Sequence, residues 1–264
     1  MKYKVFSFFL CEAYPRVFLW IGLFGVALVY GIFLLTGDMQ EDFFITLRTA
    51  LNFADHGELS FNLGENYSGA TSYLYPLWIA LIRKAAGDFI IPAILIVNSL
   101  AVLGAGYLFA NFISLLLDSC KANVTFLNWI VIALTPIAVV ISIRGMEAVY
   151  VILLFIFGMQ AIYRFPERYI SYVPVIILPL VRPDAIAFSL ILAGFAFSQT
   201  RKIGIRYLVA AIFGLIMLFV LNYSTFGTIL PTTAIAKAVT VIDKRTPDYS
   251  RISAESAPLD YTLI

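Results

Sequence analysis

The sequence has little charge, two cysteines and a single histidine, and each shortage excludes a class of protein. Only 13% of the 264 residues are charged, about half the share in an ordinary soluble domain. Cys11, Cys120 and His56 are too few for a disulfide framework or a histidine cluster. By contrast, 61% of the residues are hydrophobic and the mean hydropathy is +0.92, more apolar surface than a soluble globule of this size can bury. The composition therefore excludes a soluble enzyme or nucleic-acid-binding protein and predicts an all-α integral membrane protein.

Long apolar runs predict a polytopic helical bundle with about seven spans. The first run, 17–36, follows three basic residues and lacks a small-residue cleavage site, which predicts a retained span with the N-terminus inside. Residues 73–86 are apolar but shorter than a span, which favours an interfacial or re-entrant segment. The later runs are 89–117, 124–142, 146–163, 169–181, 185–198 and 207–225.

The distribution of Lys and Arg tests whether 73–86 crosses the membrane. If it does not cross, nine of the bases before residue 226 lie inside and five outside; if it crosses, they divide seven to seven. The positive-inside rule favours the first arrangement. The loops at 37–88, 143–147 and 182–184, with the segment after 226, then share the outer side.

The first outer loop, 37–88, begins with the longest polar stretch of the chain. Apolar residues recur there at helical spacing, which predicts an amphipathic juxtamembrane helix over 41–55, lying on the membrane surface. These residues are Phe44, Leu47, Leu51 and Ala54. His56 and Gly57 are expected to end the helix, and 62–65 reads as a turn. The aromatics that follow are expected to form an interfacial belt. They are Tyr73, Tyr75 and Trp78.

Most of the unusual polar residues fall on the predicted outer face. They are Glu41 and Asp42 in the acidic loop, Arg144 and Glu147 in the RGME segment, Arg182 and Asp184 in the RPD segment, and Lys237. Each alone has an ordinary explanation, such as an acid at a helix N-terminus or a charge before a proline. Together they indicate a site, because arginine suits phosphate and a nearby carboxylate can take a proton from an attacking hydroxyl. This chemistry suits group transfer from a lipid phosphate.

Four segments resemble one known family, in the same order along the chain. The stretch GDMQEDFFITLRTALNFADHGELSFNLGENYSGATSYLYPLW at 37–78 is similar to the first outer loop of GT-C superfamily glycosyltransferases, closest to the arabinofuranosyltransferase- and mannosyltransferase-like branch. Three later segments also resemble that family: GMEAVY at 145–150, VRPDAIAF at 181–188 and FGTILPTTAIAK at 226–237. The resemblance covers most of the chain.

The resemblance implies an inverting glycosyltransferase of a bacterial inner membrane. It would move a sugar from a polyprenyl-phosphate donor to a glycan or lipid acceptor at the periplasmic or extracellular face, among membrane lipids and with no nucleic acid. Asp42 or Glu41 would be the general base, and the donor phosphate would be held by Arg182, Lys237 and Arg144. The supporting residues would be Arg48, Glu147, Asp184, Thr71 and Ser72. Arg48 would orient the acidic pair. No cofactor is required, although oxygen ligands would suit Mg²⁺ or Mn²⁺.

The expected organisation is a transmembrane module over 1–225 and an outer-face segment over 226–264. Members of the family usually continue with further spans, so the chain reads as a truncated product, a fragment or a minimal form. The family's acidic pair is usually Asp-Asp or Asp-Glu, whereas this chain has Glu41-Asp42. Two alternatives stay open: a transporter or flippase for a lipid-linked sugar, and an inactive remnant. Transporters tend to place charges at the membrane midplane, so clustering at one face favours the transferase.

Overall fold

The structure is a computed structural model that describes residues 24, 31, 41–65, 67–118, 145 and 147–229. The predicted spans at 17–36 (apart from positions 24 and 31) and 124–142 lie outside these residues. So do Arg144, Lys237 and all of the predicted outer-face segment beyond residue 229.

Within the described ranges, all regular structure is helical and there is no strand, which confirms the all-α class. The α-helices are α1 Glu41–His56, α2 Leu74–Ala86, α3 Ile90–Asp118, α4 Ala148–Arg164, α5 Val173–Val181, α6 Ile186–Phe197 and α7 Arg201–Phe226. Three 3-10 turns join them: Gly87–Phe89 before α3, Tyr169–Ser171 before α5 and Pro183–Ala185 before α6.

Two described stretches are long and apolar enough to cross a membrane: Leu74–Phe109 and α7. Gly87 interrupts the first stretch, because its φ of 58° lies outside the range of a right-handed helix. The 29-residue α3 is nevertheless long enough by itself, because a span takes roughly 20 residues. The other apolar helices are shorter, and α5 and α6 have only 9 and 12 residues. The described residues therefore support two spans, and the expected total of seven is not confirmed.

Helix α1 confirms the amphipathic helix predicted over 41–55, and three of its four predicted apolar residues contact the core, whereas Phe44 does not. Phe43, Leu47 and Ala50 are buried, whereas Phe44 is 39% exposed. The difference arises because α1 packs against α2, and this neighbour decides which stripe is covered. Two threonines, Thr46 and Thr49, lie on the same buried side.

Helix α2 forms one core with α1 and the beginning of α3. Its buried residues Tyr75, Ile79 and Ile82 contact this core. The structure thus agrees with the prediction that 73–86 is a short helix distinct from the next apolar run. A second core lies among α4, α5, α6 and α7, and Tyr150 of α4 packs against both cores.

The ends of the helices define a common surface. Tyr207, near the start of α7, donates a 2.9 Å hydrogen bond to the carbonyl oxygen of Pro166, just after α4. At the other end of α7, the hydroxyl oxygens of Thr225 and Tyr73 lie 2.9 Å apart. The starts of α2 and α4 and the end of α7 therefore share one end of the bundle, called here the site end.

Candidate functional site

Arg182 ends α5 and forms the centre of the candidate site. A residue before proline is driven towards extended backbone, and Arg182 has φ −149° and ψ 131°. The chain therefore leaves the helix at this residue and enters the turn Pro183–Ala185. The side chain of Arg182 stays at the site end, where it is 29% exposed.

Two carboxylates hold the Arg182 guanidinium. Its Nε and Nη2 donate to Oδ1 and Oδ2 of Asp184 at 2.9 and 3.0 Å, and its Nη1 lies 3.4 Å from Oε1 of Glu147. The hydrogen bonds between Arg182 and Asp184 raise the pKa of Arg182 and lower the pKa of Asp184. Arginine has five N–H donors, so these contacts fix its direction and still leave N–H groups for another oxygen ligand.

Glu147 is the buried member of this cluster. It directly precedes α4 and is only 4% exposed. Burial raises its pKa above the ordinary value, against the smaller opposing effects of its own backbone N–H and of Arg182. Glu147 therefore holds a proton at a higher pH than a solvated glutamate does.

Asp42 joins the cluster from a distant part of the chain. It lies exposed in the first turn of α1, close enough to act electrostatically on both Glu147 and Arg182. The next residue, Phe43, packs directly on Gly145, where a Cβ atom would overlap the phenylalanine ring. Gly145 also has a φ of +84°. This contact docks the start of α1 on the RGME segment.

The structure thus brings together four of the residues singled out from the sequence: Asp42, Glu147, Arg182 and Asp184. Glu41 begins α1, but its side chain lies outside the described part of the structure. Arg144 and Lys237 also lie outside it. The roles expected for these last three residues therefore remain predictions.

Arg48 points to the loop between α1 and α2. Its Nη2 donates a 2.9 Å hydrogen bond to Oδ1 of Asn62, and its guanidinium lies 4.6 Å from the ring centre of Phe61. The ion pairs of the described side chains include none between Arg48 and Asp42. Among the described residues, Arg48 therefore contacts the loop and not Asp42, and its expected role towards the acidic pair stays a prediction.

Thr71 and Ser72 lie at the start of α2. The Ser72 hydroxyl accepts a 3.0 Å hydrogen bond from the backbone N–H of Tyr75, and Ser72 is buried whereas Thr71 is half-buried. Such a bond satisfies a backbone donor that the helix leaves free. The contact of Ser72 is thus with the helix start, which it stabilises.

Sequence reasoning missed a polar network that ties α2, α3 and α4 together. The Tyr75 hydroxyl donates to the carbonyl oxygen of Gly145 at 2.8 Å and accepts from Asn98 Nδ2 at 3.4 Å. The Tyr150 hydroxyl donates to Asn98 Oδ1 at 2.6 Å and accepts from Trp78 Nε1 at 2.9 Å. Tyr75 is only 2% exposed, so it does not belong to the expected interfacial belt. Asn98, one of two asparagines inside the apolar run 89–117, was the available signal.

The cluster combines three carboxylates with one guanidinium, which makes this part of the site anionic. In the part of the chain that the structure describes, no group of three or more His, Cys, Asp or Glu side chains is arranged to hold a metal ion. An anionic cluster can accept a hydroxyl proton and stabilise positive charge that develops on a substrate.

Comparison with known proteins adds no relative, since no family model, no curated protein and no solved structure matches this chain.

Proposed function

We propose that the chain is an integral membrane glycosyltransferase of the GT-C type. It transfers a sugar with inversion from a polyprenyl-phosphate donor to a glycan or lipid acceptor, at the outer face of a bacterial inner membrane. The proposal rests on the proximity of Asp42, Glu147 and the Arg182–Asp184 pair. These residues come from three separate segments and gather at one end of an apolar bundle.

The surface of α7 supports a membrane setting. Many of its large apolar side chains are about half exposed, which is costly in water and favourable in lipid. They are Ile205, Val209, Ile212, Phe213, Ile216 and Val220. Basic residues gather at the end opposite the site, as the positive-inside rule expects of a cytoplasmic face. They are Arg164, Arg168, Arg201, Lys202 and Arg206.

The acid–base part of the reaction falls to Asp42. As the exposed carboxylate at the edge of the cluster, it takes the proton of the attacking acceptor hydroxyl. Glycosyl transfer passes through a transition state with positive charge on the sugar, and the anionic cluster stabilises this charge. Glu147 and Asp184 act through Arg182, whose direction they hold.

The phosphate part of the reaction needs more positive charge than the described cluster supplies. Arg182 offers its remaining N–H groups to the donor phosphate, but it already pairs with Asp184 and Glu147, and Asp42 adds a further negative charge nearby. The proposal assigns the additional charge to Arg144 and Lys237, on the strength of the family resemblance. A divalent cation is the other source of this positive charge. The turnover assay described next is therefore run with Mg²⁺, with Mn²⁺ and with neither ion.

The test is turnover by the purified full chain with radiolabelled polyprenyl-phosphate sugars and an extracted membrane acceptor. We expect the Asp42→Asn variant to lose about 100-fold or more of the rate. Asp88→Asn is the matched control, because Asp88 is exposed and lies beside Arg83, which also pairs with Asp55. Asp42→Asn turnover at the rate of the Asp88→Asn control would exclude Asp42 as the base. Uptake of a lipid-linked sugar without any transfer would instead identify a transporter.

A further inference from the structure

A groove at the site end lies outside the Asp42–Arg182 cluster. It has a volume of about 300 Å³ and is lined by Glu58–Ser60, Gly64, Glu65, Thr225 and Phe226. The loop between α1 and α2 forms one wall, and the last turn of α7 forms the other. We call it the acidic groove. Its volume falls at the lower end of the range of about 300–1,000 Å³ that ligand pockets occupy.

Both carboxylates of the acidic groove are built into the loop through one oxygen each. Glu58 Oε2 accepts a 2.8 Å hydrogen bond from the Gly64 N–H, and Glu65 Oε2 accepts a 3.0 Å bond from Asn62 Nδ2. A carboxylate has two oxygens and several acceptor directions. Each side chain can therefore accept further hydrogen bonds from a molecule in the groove while the loop keeps its shape.

Ser60 provides a second, independent indication of a ligand. It lines the groove and is 5% exposed, and its Oγ has no hydrogen-bond partner among the described residues. Among the described residues, one other buried side-chain atom lacks a hydrogen-bond partner. It is Nδ2 of Asn222, one helical turn before Phe226. Native structures pair nearly all buried polar atoms.

We propose that the acidic groove binds a neutral sugar unit of the acceptor, an inference that rests on the proposed transferase function. Two carboxylates repel the anionic donor phosphate, whereas they accept hydrogen bonds from sugar hydroxyls. Phe226 supplies an apolar wall for a ring. The groove is connected to the reacting cluster along α1, on which Asp42 and Arg48 are separated by roughly 9 Å, and Arg48 binds Asn62 of the groove loop.

The experiment measures sugar binding without a donor. The probes are the uncharged methyl glycosides of glucose, mannose, galactose and arabinose, observed by saturation-transfer difference NMR. The full chain is held in a detergent without a sugar headgroup. We expect Glu58→Gln and Glu65→Gln to weaken binding of the best glycoside by about tenfold or more. Glutamine keeps the oxygen that accepts the loop hydrogen bond, and thermal unfolding of each variant reports its folding.

The matched control is Glu167→Gln, an exposed glutamate at the opposite end of the bundle, which should bind like the wild type. Ser60→Ala leaves both carboxylates in place and should also weaken binding. The proposal is overturned if no glycoside binds, if both glutamine variants bind as well as the control, or if only MgCl₂, and no glycoside, raises the unfolding temperature in a manner that depends on Glu58 and Glu65. Glycoside binding without turnover from any donor would refute the transferase function and support the groove as a sugar site. Turnover without glycoside binding would support the transferase function and refute the groove as a sugar site.

Discussion

At the scale of single residues, Gly145 explains how the start of α1 reaches the RGME segment. Its positive φ requires a glycine, and its missing side chain leaves room for the ring of Phe43. Phe43 follows Asp42, and Gly145 lies two residues before Glu147. One close contact between backbone and ring therefore places two carboxylates of the cluster near each other.

A Gly145→Ala variant should be strongly destabilised. The left-handed backbone costs about 1–2 kcal/mol for a residue with a Cβ atom, and overlap with Phe43 adds about 1–3 kcal/mol. Gly57→Ala is the control, because Gly57 has a φ of +78° with no atom within 4 Å of a Cβ, so it carries only the backbone cost. Unfolding of both variants in detergent checks the difference, and equal losses would contradict the proposed overlap.

Glu147 predicts a particular dependence of stability on pH. Its pKa is raised in the folded protein above its ordinary value of 4.5, so the folded state binds this proton more tightly than the unfolded state. The contribution is fully present below pH 4.5 and is lost as the pH rises through the folded-state pKa. Asp184 acts oppositely: its pKa is lowered from 3.8, and its contribution is lost as the pH falls below that value.

The measurement is the unfolding temperature as a function of pH for the wild type and Glu147→Gln. The wild type should lose stability relative to Glu147→Gln as the pH rises from 4.5 towards neutrality. Glu167→Gln should follow the wild-type curve. Parallel curves for wild type and Glu147→Gln would show that Glu147 does not titrate differently on unfolding.

At the scale of helices, the network of Tyr75, Asn98, Tyr150 and Trp78 joins the α1–α2 pair to the rest of the bundle. Asn98 is fully buried, and both polar atoms of its amide are used in this network. Tyr150 contacts both cores. Since buried polar groups are costly when unpaired, the network specifies one arrangement of α2, α3 and α4.

A Tyr150→Phe variant should lose about 1–3 kcal/mol, because it leaves Asn98 Oδ1 buried without its donor. Tyr163→Phe is the control on the same helix. Its ring contacts Phe112, and the structure records no hydrogen bond from its hydroxyl to a described residue. Chemical unfolding compares the two variants, and a Tyr150→Phe loss no larger than that of Tyr163→Phe would refute the structural role of the network.

The helices also show how far sequence patterns reach. The periodicity of 41–55 and the short length of 73–86 predicted α1 and α2. Within α1 only Phe44 was misplaced, because Phe43 rather than Phe44 faces Gly145 and α2, and these contacts are not encoded in local spacing. The short lengths of α5 and α6, by contrast, follow from local sequence, because the proline at 183 drives Arg182 out of the helix.

At the scale of the whole molecule, the position of α2 decides on which side its basic residues lie. Arg83 contacts Asp55 at the end of α1 and Asp88 before α3, at 3.8 and 3.2 Å. The neighbouring Lys84 is exposed. If α2 does not cross the membrane, Lys84 and Asp184 lie outside and Lys202 lies inside; if it crosses, all three residues change sides.

Single-cysteine variants test this arrangement in intact cells. With Cys11 and Cys120 replaced, Lys84→Cys and Asp184→Cys should react with a membrane-impermeant maleimide added outside. Lys202→Cys should react only after the membrane is opened. Labelling of Lys202→Cys from outside, with Lys84→Cys and Asp184→Cys reacting only after the membrane is opened, would show that α2 crosses and would reverse the predicted direction of the later spans.

The sequence by itself determined the helical class, the apolar character and the residue types of the candidate site. It could do so because hydropathy, helical period and charge are properties of local segments. Only the tertiary structure decided that Asp42 approaches Glu147 and Arg182, that Arg48 turns to Asn62, and that Asn98 joins three helices. These outcomes depend on contacts between segments far apart in the chain, where close packing at Gly145 and the pairing of buried polar groups select one arrangement.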